Sequence, residues 1–131
     1  MDKTIALNTL KYMNDNIGKM YLVGGAVRDI ILERNITDLD FSTPIHVSEL
    51  IKKCKECKIS YNDNFSNFGK IIIYINGIEC EVTTFREETY NSSNRYPSIN
   101  FIEDITTDLE RRDLTINAVA LDIHSQFIDP F

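Results

Sequence analysis

The residues best suited to chemistry lie between positions 21 and 43, where a glycine pair, an arginine and two aspartates occur close together. Asp38 and Asp40 are separated by one residue, so on a strand both carboxylates leave the same face and can share one divalent cation or a pair of them. Gly24 and Gly25 end an apolar run, and glycines there let backbone N–H groups approach an anion where a helix begins. Together these features predict a site for a metal-bound polyphosphate.

The elements around this stretch follow from the hydrophobic pattern. We predict a helix over residues 2–17, a strand over 19–23, a second helix over 26–33 and a short strand over 38–42. A strand, a glycine turn and a helix in this order are the context that a phosphate-binding turn requires. A third helix is predicted from the apolar spacing between Val47 and Cys54.

A β-hairpin is predicted in the middle of the chain. The β-rich runs 70–75 and 78–85 are separated by an Asn-Gly pair, the strongest short hairpin signal. Alternation puts Glu79 and Glu81 on one face of the second strand. A carboxylate of that strand can therefore lie beside Asp38 and Asp40 if the two strands are neighbours.

The last third of the chain has weaker signals. Residues 87–100 are polar and are predicted to form a mobile loop. A short helix is predicted over 107–113 and a strand over 114–122, and residues 126–128 can pair back onto that strand. No repeat, low-complexity tract or interdomain linker is present in the sequence.

Length and composition indicate one globular domain. The chain has 131 residues, of which 43% are hydrophobic and 26% charged, without an apolar run long enough to cross a bilayer. The first residues lack the basic and apolar regions of a signal peptide, so we expect a cytoplasmic protein and no membrane partner. The net charge of −6 argues against a broad phosphate-tracking surface. If the substrate is RNA, the affinity for it must come mainly from something outside these 131 residues or be weak.

Two local features allow more than one interpretation. Cys54 and Cys57 form a Cys-x-x-Cys pair, which fits half a zinc site or a redox pair, but no second paired spacing exists. With three cysteines in the chain, the favoured interpretation is reduced thiols, one on the buried face of a helix and one near its end. The lysines between positions 52 and 58 resemble a basic patch, but are typical of a solvated helix face.

The stretch 21–43 resembles the first motif of the class II template-independent nucleotidyltransferases. These are the tRNA CCA-adding enzymes and bacterial poly(A) polymerases of the DNA polymerase β-like superfamily. Four later stretches resemble other parts of the same family, with Ser93 standing where the family usually has an acidic residue. They are Glu81–Arg86, Arg95–Pro97, Asp108–Ala118 and Ile128–Phe131.

The resemblance implies roles for the acidic residues. Asp38 and Asp40 would be catalytic and hold two Mg²⁺ ions, one activating the attacking hydroxyl and one bridging the triphosphate. Glu81 would be the third catalytic carboxylate, acting on the 3′-hydroxyl of the acceptor. Glu79, Glu103 and Asp104 remain alternatives for that third position.

The resemblance also implies a nucleotide-binding set. Gly24, Gly25 and Arg28 would contact the triphosphate, although Arg28 can instead form a salt bridge with a neighbouring carboxylate, and Asp29 is expected to be a structural partner. Arg111 would contact the phosphates and Asp113 a ribose hydroxyl, and Asn117 would support the same nucleotide. Without the resemblance, the charged run Arg111–Asp113 is typical of an ordinary helix end.

The fold implied is an α/β (α+β) polymerase β-like head, with a mixed, mostly antiparallel sheet of about five strands and helices on one side. The reaction implied is transfer of a nucleoside monophosphate from ATP or CTP to an RNA 3′-hydroxyl, with tRNA as the leading acceptor. We expect residues 1–131 to be the catalytic head without the family's neck, body and tail, as a fragment, a stand-alone protein or part of a split enzyme with a partner chain. Alternatives are a nucleotide-binding module without turnover and a nucleotidyltransferase that modifies a protein or small molecule.

Overall fold

The computed structural model describes residues 1–89, 98–101, 105, 120–122 and 127–128. Three α-helices lie in this part of the chain. They are α1 (Lys3–Asn16), α2 (Gly25–Ile31) and α3 (Val47–Cys57). All three predicted helices of the first half are therefore confirmed, with ends that differ by at most three residues. None of the described helices is long and apolar enough to span a bilayer.

The strands form one large sheet and one separate pair. In chain order they are β1 (Tyr21–Val23), β2 (Leu39–Thr43), β3 (Tyr61–Asn62), β4 (Lys70–Ile75), β5 (Ile78–Thr84), β6 (Arg86–Thr89), β7 (Ser98–Phe101), β8 (Ala120–Leu121) and β9 (Phe127–Ile128). The large sheet has the order β3-β4-β5-β2-β1-β8-β9, and β6 pairs with β7. Only β2 and β5 run parallel among these described strands, so the predicted mixed, mostly antiparallel sheet is confirmed. Its seven strands exceed the expected five or so because two-residue pieces extend both edges.

One face of the large sheet is covered by all three helices. Alternate residues of the central strands, among them Leu22, Phe41, Ile73 and Val82, join buried residues of the helices in a single apolar cluster. The opposite residues of the same strands face away from the helices, as strand alternation requires. For the described helices α1, α2 and α3 the predicted placement on one side is confirmed, and the polar side chains of β2 and β5 are left on the other face.

The hairpin prediction is also confirmed. β4 and β5 pair from Lys70 opposite Thr83 to Ile75 opposite Ile78. Asn76 and Gly77 have φ values of 50° and 78°, and positive φ at both central residues is what a type I′ turn needs. This tight turn fixes which residues of the two strands lie opposite each other.

The predicted mobile loop over residues 87–100 is wrong at both of its ends. Residues 86–89 form β6 and residues 98–101 form β7, and the two strands pair antiparallel. Backbone pairing satisfies the N–H and C=O groups of these polar residues, which hydrophobic patterning does not reveal. Residues 90–97 and the predicted helix 107–113 lie outside the described residues. Within the predicted strand 114–122, Ala120 and Leu121 form β8, which pairs with β9 as expected.

The cysteines have the predicted environments. Cys54 is buried on α3, Cys57 is exposed near the end of the same helix, and Cys80 is buried on β5. Burial, with a smaller effect of Cys57, raises the pKa of the Cys54 thiol to about 11, and burial raises the pKa of Cys80 to about 12. The thiolate is the reactive form, so both buried thiols should be inert at neutral pH.

We therefore expect iodoacetamide at pH 8 to modify Cys57 but not Cys54 or Cys80 in the folded protein. With a pKa near 11, only about one part in a thousand of the Cys54 thiol is ionised at that pH. Intact mass should show one adduct under native conditions and three in denaturant. The Cys57→Ser variant should show none until it is unfolded. Native labelling of Cys54 or Cys80 at the rate of Cys57 would contradict these burial assignments.

Candidate active site

A cavity of about 270 Å³ opens on the face of the sheet opposite α1, α2 and α3. It brings together the three acidic residues that the sequence analysis assigned to catalysis. Its lining residues are Asp38, Leu39, Asp40, Phe65, Lys70, Ile72, Glu79 and Glu81. The predicted convergence of the carboxylates from two separate segments is therefore found in the structure.

Strand pairing explains how the carboxylates meet. β2 and β5 run parallel, and Asp40 lies opposite Glu81 in their register. The residues that flank Asp40 and Glu81 on their strands point into the apolar cluster beneath the helices. They are Leu39, Phe41, Cys80 and Val82. Burial of these neighbours fixes the register, because a slip of one residue would put carboxylates into the core. The position of the acidic group is thus set by the hydrophobic pattern of its own strands.

The glycine turn lies directly beside Asp40. Val23, the last residue of β1, pairs with Asp40 on β2, and Gly24 follows it. Gly24 has φ 69° and ψ −140°, a backbone conformation that residues with a side chain avoid. A Cβ added to Gly24 would lie 3.4 Å from Oδ2 of Asp40. The absence of a side chain at Gly24 thus lets the backbone of the turn lie close to the Asp40 carboxylate.

Lys70 was not anticipated as a residue of this site. Its ammonium group forms a salt bridge with Oε1 of Glu81 inside the cavity. Partial burial raises the pKa of Glu81, but hydrogen bonds with Lys70 and Asp40 and the charge of Lys70 outweigh burial, so the pKa lies below its ordinary value. Glu81 is therefore an ionised carboxylate at neutral pH. The hairpin register could have predicted this contact. Lys70 pairs with Thr83, two residues from Glu81 on the same face of β5, so Lys70 and Glu81 are diagonal neighbours.

Arg28 forms a salt bridge with a neighbouring carboxylate, which was the alternative to its predicted contact with the triphosphate. Its Nε donates to Oδ1 of Asp29 at 3.2 Å, and the Asp29 side chain is almost fully buried. Asp29 therefore holds the arginine in place, as expected. The Arg28 side chain remains 40% exposed, and its Nη2 would lie 3.1 Å from a Cβ on Gly25. The guanidinium is thus packed against the glycine turn.

The acidic side chains of the cavity are candidate ligands for a divalent cation. No three His, Cys, Asp or Glu side chains of the described residues converge into a ready ligand cluster. Mg²⁺, however, commonly binds one or two protein carboxylates and takes its other ligands from water and substrate phosphates. Asp38 and Asp40 fit that requirement, whereas Glu81 is engaged by Lys70. The chemistry of the acidic pair suits Mg²⁺ bound together with a polyphosphate.

Most of the remaining predicted site residues lie outside the part of the chain that the structure describes. Arg111, Asp113 and Asn117 lie outside the described residues, as do Glu103, Asp104 and the stretch 95–97. Glu79, the other alternative for the third carboxylate, lines the cavity and is exposed, whereas Glu81 is half-buried. The register opposite Asp40 favours Glu81 over Glu79 as the nearer partner of the acidic pair.

The fold and the acidic cavity agree with the comparison to known families. The family model described as "Poly A polymerase head domain" matches residues 20–131. The chain belongs to this family.

Similar proteins are CCA-adding enzymes. The chain is 36% identical to the CCA-adding enzyme of Lactobacillus johnsonii over 98% of its own length, and 38% identical to that of a Geobacillus species over 96%. It covers only 31% and 30% of those proteins. The chain therefore spans about a third of the length of the curated relatives that it matches.

Solved structures give the same assignment. The Bacillus stearothermophilus CCA-adding enzyme in complex with CTP matches all of this chain with a TM-score of 0.78 and 32% identity, over 31% of its own length. A tRNA nucleotidyltransferase complexed with a primer tRNA and an incoming ATP analogue matches 95% of this chain with a TM-score of 0.64 and 30% identity, over 34% of its own length.

Proposed function

We propose that this chain is the catalytic head of a template-independent nucleotidyltransferase. It transfers a nucleoside monophosphate from ATP or CTP to an RNA 3′-hydroxyl, that of a tRNA, and releases pyrophosphate. The observation that carries the proposal is the position of Asp40, which lies between the Gly24 turn on one side and Glu81 on the other. The relatives named CCA-adding enzymes, and neighbours solved with CTP or with a primer tRNA and an ATP analogue, support this substrate class.

In this proposal Asp38 and Asp40 hold Mg²⁺ through their carboxylates. When bound there, the metal lowers the pKa of the attacking hydroxyl and neutralises charge on the triphosphate. The Gly24–Gly25 backbone and Arg28 bind and orient the triphosphate, which the close approach of the turn to Asp40 supports. Glu81, ionised at neutral pH, accepts a hydrogen bond from the acceptor hydroxyl and orients it. Catalysis is then mainly positioning and charge neutralisation.

Other parts of the proposal concern the rest of the binding surface. Arg111, Asp113 and Asn117 are proposed to complete the nucleotide site, with Asp113 at the ribose. The net charge of −6 supports the view that most of the RNA affinity, and the selection of the base, come from further domains or a partner chain. We place the protein in the cytoplasm on the basis of relatives that are CCA-adding enzymes.

The experiment that tests the proposal is transfer of radiolabel from [α-³²P]ATP or [α-³²P]CTP to a tRNA that lacks its 3′ CCA. We expect labelled, lengthened tRNA and an equal amount of pyrophosphate with MgCl₂ and neither product with EDTA. Binding of ATP with Mg²⁺ but no transfer to tRNA would instead indicate a nucleotide-binding module. Intact mass of candidate proteins or small molecules after incubation would reveal a different acceptor.

Lys70 should weaken cation binding at this site, because its ammonium group shares the cavity with the acidic pair. We expect Lys70→Met, which keeps the aliphatic length, to tighten Mn²⁺ binding by about tenfold at low salt, as both side chains are partly exposed and screened. Electron paramagnetic resonance of free Mn²⁺ measures this affinity.

The matched control is Lys53→Met. Lys53 also forms an ion pair, with Glu56 at 3.9 Å, but on the outer face of α3. It should leave Mn²⁺ affinity unchanged. Weaker Mn²⁺ binding in Lys70→Met than in the wild type would show that Lys70 instead supports the site.

A further inference from the structure

An exposed aromatic side chain stands at the rim of the acidic cavity. Phe65 is 45% exposed and lines the same cavity as Asp40 and Glu81. It directly precedes a 3₁₀ turn, Ser66–Phe68, that leads into β4. Its backbone carbonyl accepts hydrogen bonds from the N–H groups of Phe68 at 3.0 Å and Lys70 at 3.3 Å. The chain around Phe65 is thus fixed relative to the cavity while the ring faces solvent.

Strand order places Phe65 on the opposite side of the carboxylates from the glycine turn. Across the sheet the order is β4-β5-β2-β1, with Gly24 after β1, Asp40 on β2, Glu81 on β5 and the Phe65 turn leading into β4. Neighbouring strands are about 4.8 Å apart, so β1 and β4 are separated by roughly 14 Å. The two carboxylate-bearing strands lie between them.

This arrangement gives the incoming nucleotide and the acceptor RNA different sides of the carboxylates. In phosphoryl and nucleotidyl transfer the attacking and leaving oxygens are roughly in line on opposite sides of the phosphorus. With the pyrophosphate leaving on the Gly24 side, the acceptor hydroxyl must arrive from the side of β5 and β4. Phe65 is the exposed aromatic ring that the described cavity presents on that side.

We propose that Phe65 stacks on the 3′-terminal base of the acceptor RNA and so positions its 3′-hydroxyl. The inference rests on the proposed function, since it assigns the acceptor side of that same site. Stacking needs no positive charge and works with every base, because each base offers a π-face. It is therefore suited to a domain with a net charge of −6 that must hold an acceptor end whose terminal base changes as nucleotides are added.

The first test measures stacking directly and needs no turnover. The probe is an RNA minihelix with 2-aminopurine as its 3′-terminal residue, whose fluorescence falls when the base stacks. We expect the wild-type protein to quench it, Phe65→Ala to lose the quenching, and Phe65→Tyr to restore it. Phe68→Ala is the matched control, because Phe68 is 57% exposed on the same turn but does not line the cavity. Equal quenching by wild type and Phe65→Ala overturns the inference.

The second test uses transfer kinetics. We expect Phe65→Ala to raise KM for the acceptor RNA by about tenfold, within the roughly 5- to 150-fold range for loss of one base–aromatic stack. KM for ATP should change less than twofold. A rise confined to KM for ATP would assign Phe65 to the incoming nucleotide and overturn the inference.

The two proposals fail separately. If the wild type transfers nucleotides and Phe65→Ala has the same acceptor kinetics and the same quenching, the proposed function is supported and the role of Phe65 is rejected. Quenching lost in Phe65→Ala without any transfer by the wild type supports the binding role and rejects the proposed function. A wild-type protein that binds the minihelix in a gel-shift assay but neither transfers nor quenches rejects both.

Discussion

Asp40→Asn should reduce nucleotide transfer by about a thousandfold, because an amide cannot replace a carboxylate that supplies several kcal/mol through a bound cation. The substitution keeps the size of the side chain and places an amide N–H donor beside Glu81, which lies opposite residue 40 on the neighbouring strand. The fold should therefore persist. Initial rates of label transfer to tRNA, together with Mn²⁺ affinity, measure the effect.

Asp63→Asn is the matched control for this change. Asp63 precedes the 3₁₀ turn and does not line the acidic cavity, so the same loss of charge should leave the rate within twofold. The metal assignment fails if Asp40→Asn keeps transfer within tenfold of the wild type. It also fails if both variants lose activity equally, since the cause would then be overall charge.

Gly24→Ala is expected to lower kcat/KM by about a hundredfold, because alanine avoids the backbone conformation of Gly24 and a turn shifted by roughly an ångström misplaces the reacting groups. The added methyl group would lie 3.4 Å from Oδ2 of Asp40, in the space where the turn and the carboxylate approach each other. The combination of φ 69° and ψ −140° adds backbone strain of about 1–3 kcal/mol when the residue is not glycine. The loss should appear mainly in binding of ATP and CTP, measured by titration and by steady-state kinetics.

Gly77→Ala separates the local effect from strain alone. Gly77 also has a positive φ, of 78°, but nothing lies within 4 Å of its added Cβ, at the far end of the hairpin turn. It should lower the free energy of unfolding by about 1 kcal/mol with unchanged transfer. Urea unfolding of both variants gives the comparison. Unchanged nucleotide affinity in Gly24→Ala would show that the turn does not contact the triphosphate.

The acidic site illustrates what the sequence can determine. Strand alternation predicts that Asp38 and Asp40 share one face of their strand and that Glu81 shares a face of another strand with Glu79, and the structure puts Asp38, Asp40 and Glu81 in one cavity. That β2 and β5 are parallel neighbours, with Asp40 opposite Glu81, could not be derived from alternation, because it depends on how separate segments pack. Roles for these residues remain predictions, while their proximity is observed.

Lys70 and Phe65 were missed for different reasons. The Asn-Gly turn already fixed the register of the hairpin, so the diagonal position of Lys70 relative to Glu81 was within reach of the sequence. Phe65 lies in an irregular segment before a short 3₁₀ turn, where no periodicity tells which way a side chain points. The pairing of β6 with β7 was likewise hidden, because polar residues gave a loop-like pattern.

The most direct test of the central claim is anomalous diffraction from crystals of the protein with Mn²⁺ and a non-hydrolysable CTP analogue. We predict an Mn²⁺ peak about 2.1 Å from carboxylate oxygens of Asp38 and Asp40, with the triphosphate extending from the metal to the backbone of Gly24 and Gly25. A triphosphate bound on the Phe65 side, or Mn²⁺ bound without contact to Asp40, would contradict the account.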